Sequence, residues 1–318
     1  MRLNLLNLDD ALQRQPRFCA AASALGAREV DLGDVGPQVR LWGKSSDLAD
    51  LRNRLSGALQ GLDGNEPIVT WMGSGDFHHV IALLLSLLAE ARKVPLTVVQ
   101  FDNHPDWVAN EGGIHCGSWV KHVLDEGIAQ RVVSIGMMSS DLSWPEFKRA
   151  GLEHVTAGRL VVFPVEASRS VVFRDYGSGI GHHQTGHKLA WQGVAPIFNE
   201  EAAARVLPAI ETEAIYITID KDVLCVSEAD TNWDQGQMRL ADLLNWLRTL
   251  ARRHKVVGLD VIGDRSKTRF GGSLMPQFLK RCEILIDQPW MRRRSALGEE
   301  VNEHTNLAIL EAVRAMLC

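Results

Sequence analysis

The sequence predicts an α/β fold built on a mostly parallel sheet, and three observations carry that expectation. Six short runs are apolar at nearly every position: PIVTWM (67–72), LTVVQF (96–101), RVVSIGM (131–137), LVVFPV (160–165), AIYITI (214–219) and KVVGLDVI (255–262). Strands covered on both faces look like this, whereas half-exposed strands alternate. Helix-like segments lie between the runs, clearest in HVIALLLSLLAEARK (79–93) and RLADLLNWLRTLARRH (239–254), and a last helix is expected over 299–317. Strand and helix in alternation imply parallel crossovers with helices on both faces of the sheet. Finally, the acidic and histidine-rich motifs follow directly after these runs, at what would be the carboxyl edge of the sheet, the usual ligand edge.

The chain has 318 residues, 46% of them hydrophobic, enough for a large core. Length alone suggests about two units, but wide α/β sheets reach this size as one domain, expected here over residues 1–318. The longest apolar stretch, Val80 to Leu88, is far short of the roughly 20 residues that span a bilayer. The least regular region, 166–200, holds SGIGHHQTGHK (178–188) and reads as a long surface loop, with His182, His183 and His187 solvated. Loops 138–150 and 174–195 are expected to carry specificity.

A formal net charge of -5 leaves no basic stripe for nucleic acid, and Arg292-Arg293-Arg294 is the only dense basic run. Five scattered cysteines, Cys19, Cys116, Cys225, Cys282 and Cys318, include no C-x-x-C pair. They suggest reduced thiols in a cytoplasmic protein. Charges interrupt the N-terminus before a signal-peptide core could form. A soluble protein with a small-molecule substrate, and no membrane partner, is expected.

The strongest motif is Asp102-Asn103-His104-Pro105-Asp106, directly after the run 96–101. In extended backbone alternate side chains point the same way, so Asp102, His104 and Asp106 can converge. Pro105 biases His104 away from helical geometry. Two carboxylates and an imidazole make a site for a hard metal ion. Asp220-Lys221-Asp222 ends another apolar run, and two buried carboxylates so close need a cation or proton between them. Gly73-Ser74-Gly75-Asp76-Phe77-His78-His79 follows the run 67–72 and opens a helix, with Asp76 as a capping candidate and His78 or His79 as a ligand. His115, a few residues past the first motif, could carry protons.

In chain order these motifs resemble the ureohydrolase family of arginase, agmatinase and formimidoylglutamase. That family reads G-G-D-H, D-A-H-x-D, a histidine in an H-G segment, then S-x-D-x-D. The counterparts are GSGDFHH (73–79), DNHPD (102–106), GIHCG (113–117) and TIDKD (218–222), within a resemblance running from about residue 65 to 265. The resemblance implies a three-layer α/β/α sandwich and a two-manganese centre, with zinc, iron, nickel or cobalt as other candidate metals. It implies that Asp102 and Asp220 bridge both ions. A histidine of the 73–79 segment, by first choice His78, would complete one ion with Asp106; His104 and Asp222 would complete the other. Trimers or hexamers are common in the family, so a homo-oligomer is expected.

Two departures stand out. Phe77 occupies the place of the family's first histidine. The later G-L-D-V-x-E element, whose glutamate meets a guanidinium, reads Gly258-Leu259-Asp260-Val261-Ile262-Gly263 here, with Asp264 next. Either Asp264 takes over that substrate-binding role or the substrate is not an ordinary guanidine. The chemistry expected is hydrolysis of a C–N bond in a guanidino, amidino or formimino compound. Two cations ~3.5–4 Å apart would hold hydroxide at neutral pH. Asp106 would orient that nucleophile, and His115, also placed at the substrate, would pass a proton to the leaving amine. The alternatives are a deacetylase-like amidohydrolase using His78 and His79 as an acid–base pair, and a non-catalytic relative. A metallophosphoesterase is set aside because its G-D element follows D-x-H rather than preceding it.

Overall fold

The computed structural model describes residues 1–59, 64–195, 197–288 and 298–317. The basic run 292–294 and Cys318 lie outside the described residues. Eight strands form the main sheet: β1 (Arg2–Asn7), β2 (Arg28–Asp31), β3 (Ile68–Trp71), β4 (Thr97–Phe101), β5 (Arg131–Ile135), β6 (Leu160–Phe163), β7 (Ala214–Asp220) and β8 (Lys255–Ile262). Their order is β2-β1-β3-β8-β7-β4-β5-β6, and every neighbouring pair is parallel. The six expected strands are present. The two unexpected ones, β1 and β2, form one flank; β2 is short and mostly exposed, so it offers no apolar run to detect.

The principal helices are α1 (Pro16–Ala24), α2 (Ser45–Ala58), α3 (Val80–Arg92), α4 (Trp119–Asp125), α5 (Glu200–Val206), α6 (Leu240–Arg253), α7 (Leu274–Asp287) and α8 (Gly298–Leu317). One hydrophobic cluster joins the sheet to α2, α3 and α4; a second joins it to α1, α5, α6 and α8. Pleating divides each strand between the two: Val98 of β4 faces the first, Val99 and Phe101 the second. Each fully buried aliphatic or aromatic side chain contributes about 1.5–3 kcal/mol of transfer free energy. This is the three-layer α/β/α arrangement. Helix α3 is buried on nearly all sides, which explains its lack of a polar face. Among the described residues, α7 contributes to neither cluster.

The stretch 166–200 is not the open loop expected. Ser168–Val171, Ser178–Gly179, His182–Thr185 and Lys188–Trp191 pair into a small antiparallel sheet. Its strands are too short and too polar to stand out in the sequence. His182 is buried there with its ring tilted against Trp191, while His183 bonds the Ser178 and Thr185 hydroxyls.

In the middle of the main sheet β3, β8, β7 and β4 are neighbours. The motifs at 73–79, 263–264, 220–222 and 102–106 therefore emerge side by side at one edge.

Candidate metal centre

Strand β4 ends at Phe101, so the D-x-H-x-D motif is not extended throughout. The chain turns back instead, with Asp106 in the left-handed region at φ +48°, a conformation aspartate tolerates better than most residues. Convergence comes from this turn rather than from strand alternation alone. Asp102 Oδ1 accepts the His104 amide at 2.6 Å, and Asp102 Oδ2 accepts from the Gln100 side chain at 2.8 Å. Asp106 Oδ2 accepts from the Trp119 indole at 2.7 Å.

The Phe77 insertion is absorbed by a 3₁₀ turn at Gly75–Phe77. Phe77 is buried beneath the Arg40 guanidinium, 5.2 Å from its ring centre, and the register advances so that His78 meets the carboxylates. His78 Nδ1 lies 3.1 Å from Asp102 Oδ2, 3.0 Å from Asp106 Oδ2 and 3.6 Å from Asp220 Oδ2. Its Nε2 is 2.9 Å from the Thr218 hydroxyl, which donates to Asp260 at 2.9 Å. A ring held from behind in this way is typical of a metal-binding histidine. His79 is fully buried, does not line the cavity and is held neutral because burial lowers its pKa well below the ordinary value.

On the other side, His104 Nδ1 lies 2.9 Å from Asp222 Oδ2 and 3.7 Å from Asp102 Oδ1. His104 Nε2 is backed by Asp234 at 2.9 Å. The Asp222 amide donates to Asp220 Oδ1 at 3.0 Å. Two donor sets result, His78–Asp102–Asp220 and Asp102–His104–Asp222, each with its ligand atoms within 4.8 Å of one another. Asp102 is common to both.

Burying four carboxylates together has an electrostatic consequence. Burial and the Asp102 charge push Asp106 up to about 7 and Asp220 up to about 6. Asp222 rises well above the carboxylate range through burial and its acidic neighbours. Burial opposes ionisation of Asp102 too, but hydrogen bonds with His104 and His78 outweigh it and hold that group low. The cluster holds more negative charge than its two imidazoles can balance, and divalent cations fit that deficit.

A cavity of about 710 Å³ opens over the cluster, lined also by His115, Met138, Ser139, Asp141, Lys148, Trp233, Asp234, Ile286 and Asp287. The 138–150 loop thus forms part of its wall, whereas no residue of 174–195 does. His115 Nε2 is 2.6 Å from Glu283 Oε1, and the Gly117 amide donates to Nδ1 at 2.9 Å, which fixes the neutral ring's proton on Nε2.

Asp264 is elsewhere. It is buried, paired with Lys221 and within 3.2 Å of the Asn306 side-chain amide, and it does not line the cavity. Gly263 has φ +101°, and a Cβ there would sit 2.4 Å from Asp220 Oδ1. The end of β8 therefore offers no side chain to a substrate. The sequence reading missed Gln100, Trp119, Thr218, Asp234, Asp260 and Glu283. Gln100, Thr218 and Asp260 did leave a signal: each is a polar residue inside a run otherwise built for burial.

The arginase family model matches residues 11–167. An uncharacterized protein of Thermotoga maritima is 25% identical over 202 residues, which span 64% of this chain and 60% of that protein. Among solved structures, the proclavaminate amidino hydrolase of Streptomyces clavuligerus superposes with a TM-score of 0.60 at 17% identity, covering 99% of this chain and 92% of its own. The arginase of Entamoeba histolytica does so at 0.59 and 11% identity, covering 99% of each. The chain is thus similar to arginase-family proteins in sequence over residues 11–167 and shares their architecture along its length.

Proposed function

We propose that this chain, one domain over residues 1–318, is a binuclear-metal hydrolase that cleaves a C–N bond of a guanidino, amidino or formimino compound. The observation that carries the proposal is the pair of buried donor sets sharing Asp102. His78, Asp102, Asp106 and Asp220 would hold one cation; Asp102, His104, Asp220 and Asp222 would hold the other. Manganese is the first choice for so oxygen-rich a set. When bound, the two cations would supply Lewis-acid polarisation and an acidified water near neutral pH.

The chain's own side chains supply the rest. Asp106, anchored by the Trp119 indole, orients the nucleophile. To pass a proton to the leaving amine, His115 would first release the Gly117 amide and take up a second proton at Nδ1, as a cation that Glu283 would stabilise. Around the cavity mouth Asp141 neutralises Lys148, leaving Asp234 and Asp287 as net negative charge, which favours a cationic substrate. Asp234, with 43% of its side chain exposed beside His104, is the carboxylate we place nearest a cationic substrate. An amidohydrolase with a His78–His79 acid–base pair is disfavoured, since His79 lies off the cavity. Cytoplasmic residence belongs to the same proposal. It is supported by Cys19, Cys116, Cys225 and Cys282 being free, and no described helix is long and apolar enough to cross a membrane.

The test is a screen of manganese-loaded protein against guanidino, formimino and acylated amines, reading urea, formamide and free amine. Urea or formamide release is the expected result. Acetate release alone would move the protein to the amidohydrolase reading. Absence of both turnover and stoichiometric metal would make it a non-catalytic relative.

A further inference from the structure

Helix α7 faces the wrong way for a helix of an isolated chain. Its polar side is turned inward. The Lys280 ammonium donates to the Gln38 and Trp42 carbonyls at 2.6 Å each and lies 4.4 Å from the centre of the Trp42 ring. Glu283 accepts from the Trp42 indole at 3.2 Å and holds His115. Its apolar side is turned outward, with Leu274 84%, Met275 67%, Phe278 62%, Leu279 51%, Leu285 67% and Ile286 75% exposed. Together these six expose roughly 800 Å², more than the largest apolar patch of an ordinary monomer and about one partner's share of a standard interface.

We propose that this outer face of α7 docks against the same face of a second copy of the chain. The spacing of the stripe supports a self-complementary contact. It is nearly symmetric about position 280, so an antiparallel pairing sets Leu274 opposite Ile286, Met275 opposite Leu285 and Phe278 opposite Cys282. A two-fold axis through the helix midpoint makes each contact twice, as an isologous dimer requires. A formal charge of -5 argues against an anionic lipid surface as the occupant. Because Ile286 and Asp287 also line the cavity, the second copy would brace one wall of the site.

The experiment is light-scattering mass measurement of the full chain at about 5–100 μM, for wild type and for the triple variant Met275→Glu/Phe278→Glu/Leu285→Glu. Wild type is expected at twice the chain mass or an even multiple, and the triple variant at half the wild-type mass with an unchanged far-ultraviolet circular dichroism spectrum. Phe147→Glu, in a separate exposed aromatic patch, is the control and keeps the wild-type mass. Alkylation of Cys282 by iodoacetamide, mapped by mass spectrometry, is expected to be several-fold slower in wild type than in the triple variant. A wild-type monomer at 100 μM would overturn the proposal, as would a triple variant that keeps the wild-type mass. A monomer that binds phosphatidylglycerol vesicles only with an intact stripe would reassign the face to a lipid surface. All these readouts are independent of hydrolysis, so this proposal and the proposed activity can fail separately.

Discussion

Two groups of buried charge lie within a few residues of each other and are built on opposite principles. In the first, Lys221 pairs with Asp264 and Arg40 with Asp76, the latter at 2.7 Å. Asp76 also accepts from the Trp233 indole at 3.0 Å and the Gln288 amide at 2.7 Å. Each of these two carboxylates has a cation within reach, and the Arg40 guanidinium also lies 3.7 Å from the buried Asp9. In the second, Asp102, Asp106, Asp220 and Asp222 face one cavity with His78 and His104 set among them. Buried charge is tolerated when it is paired, so the first group reads as structural, while the second leaves a deficit that bound cations would fill. Lys221 and Asp222 are adjacent in sequence and belong to different groups; the difference is which side of the turn each occupies.

That contrast can be broken by substitution. The largest effect is expected for Asp102→Asn, which weakens both donor sets at once, followed by Asp220→Asn. Turnover should fall by about 1,000-fold or more, equivalent to about 4 kcal/mol of transition-state stabilisation, with loss of bound metal by elemental analysis. Lys221→Met should behave oppositely, costing about 3–5 kcal/mol of stability by leaving Asp264 unpaired, while folded protein keeps its metal content. Lys221→Met/Asp264→Leu should recover most of that loss in a denaturant titration. Chelation should lower the melting temperature, and metal at about 1,000 times its dissociation constant should restore about 4 kcal/mol. The smallest effect belongs to the residues behind the ring: Thr218→Val should weaken metal affinity about 10–100-fold without unfolding the protein, read by competition with a chromophoric chelator. An unchanged affinity would mean that the Thr218–Asp260 pair merely fills space.

The layered fold was legible because the central strands are buried on both faces and so are apolar throughout. Strands β1 and β2 were not, since β2 is exposed and β1 carries Asn4 and Asn7 among its leucines. At the site, Asp102, His104, Asp106, Asp220 and Asp222 could be read from strand-end position alone. The choice of His78 over His79 needed the turn that buries Phe77. The place of Asp264 has a comparable reason. Sequence distance put it one residue past the strand, but the φ of Gly263 sends its side chain below the sheet edge toward Lys221. Asp234 and Glu283 arrive from a loop and from α7, far from any motif, and only the folded chain brings them to the cavity.

On the proposed function, separate β-segments cage a pair of cations through shared carboxylates. Calorimetric titration of Mn²⁺ into chelator-stripped protein tests it most directly. Two ions bound per chain are expected, with a marked loss of binding in Asp102→Asn. Folded wild-type protein that takes up no manganese, zinc, iron, nickel or cobalt, or an Asp102→Asn variant that still takes up two ions with unchanged affinity, would contradict it.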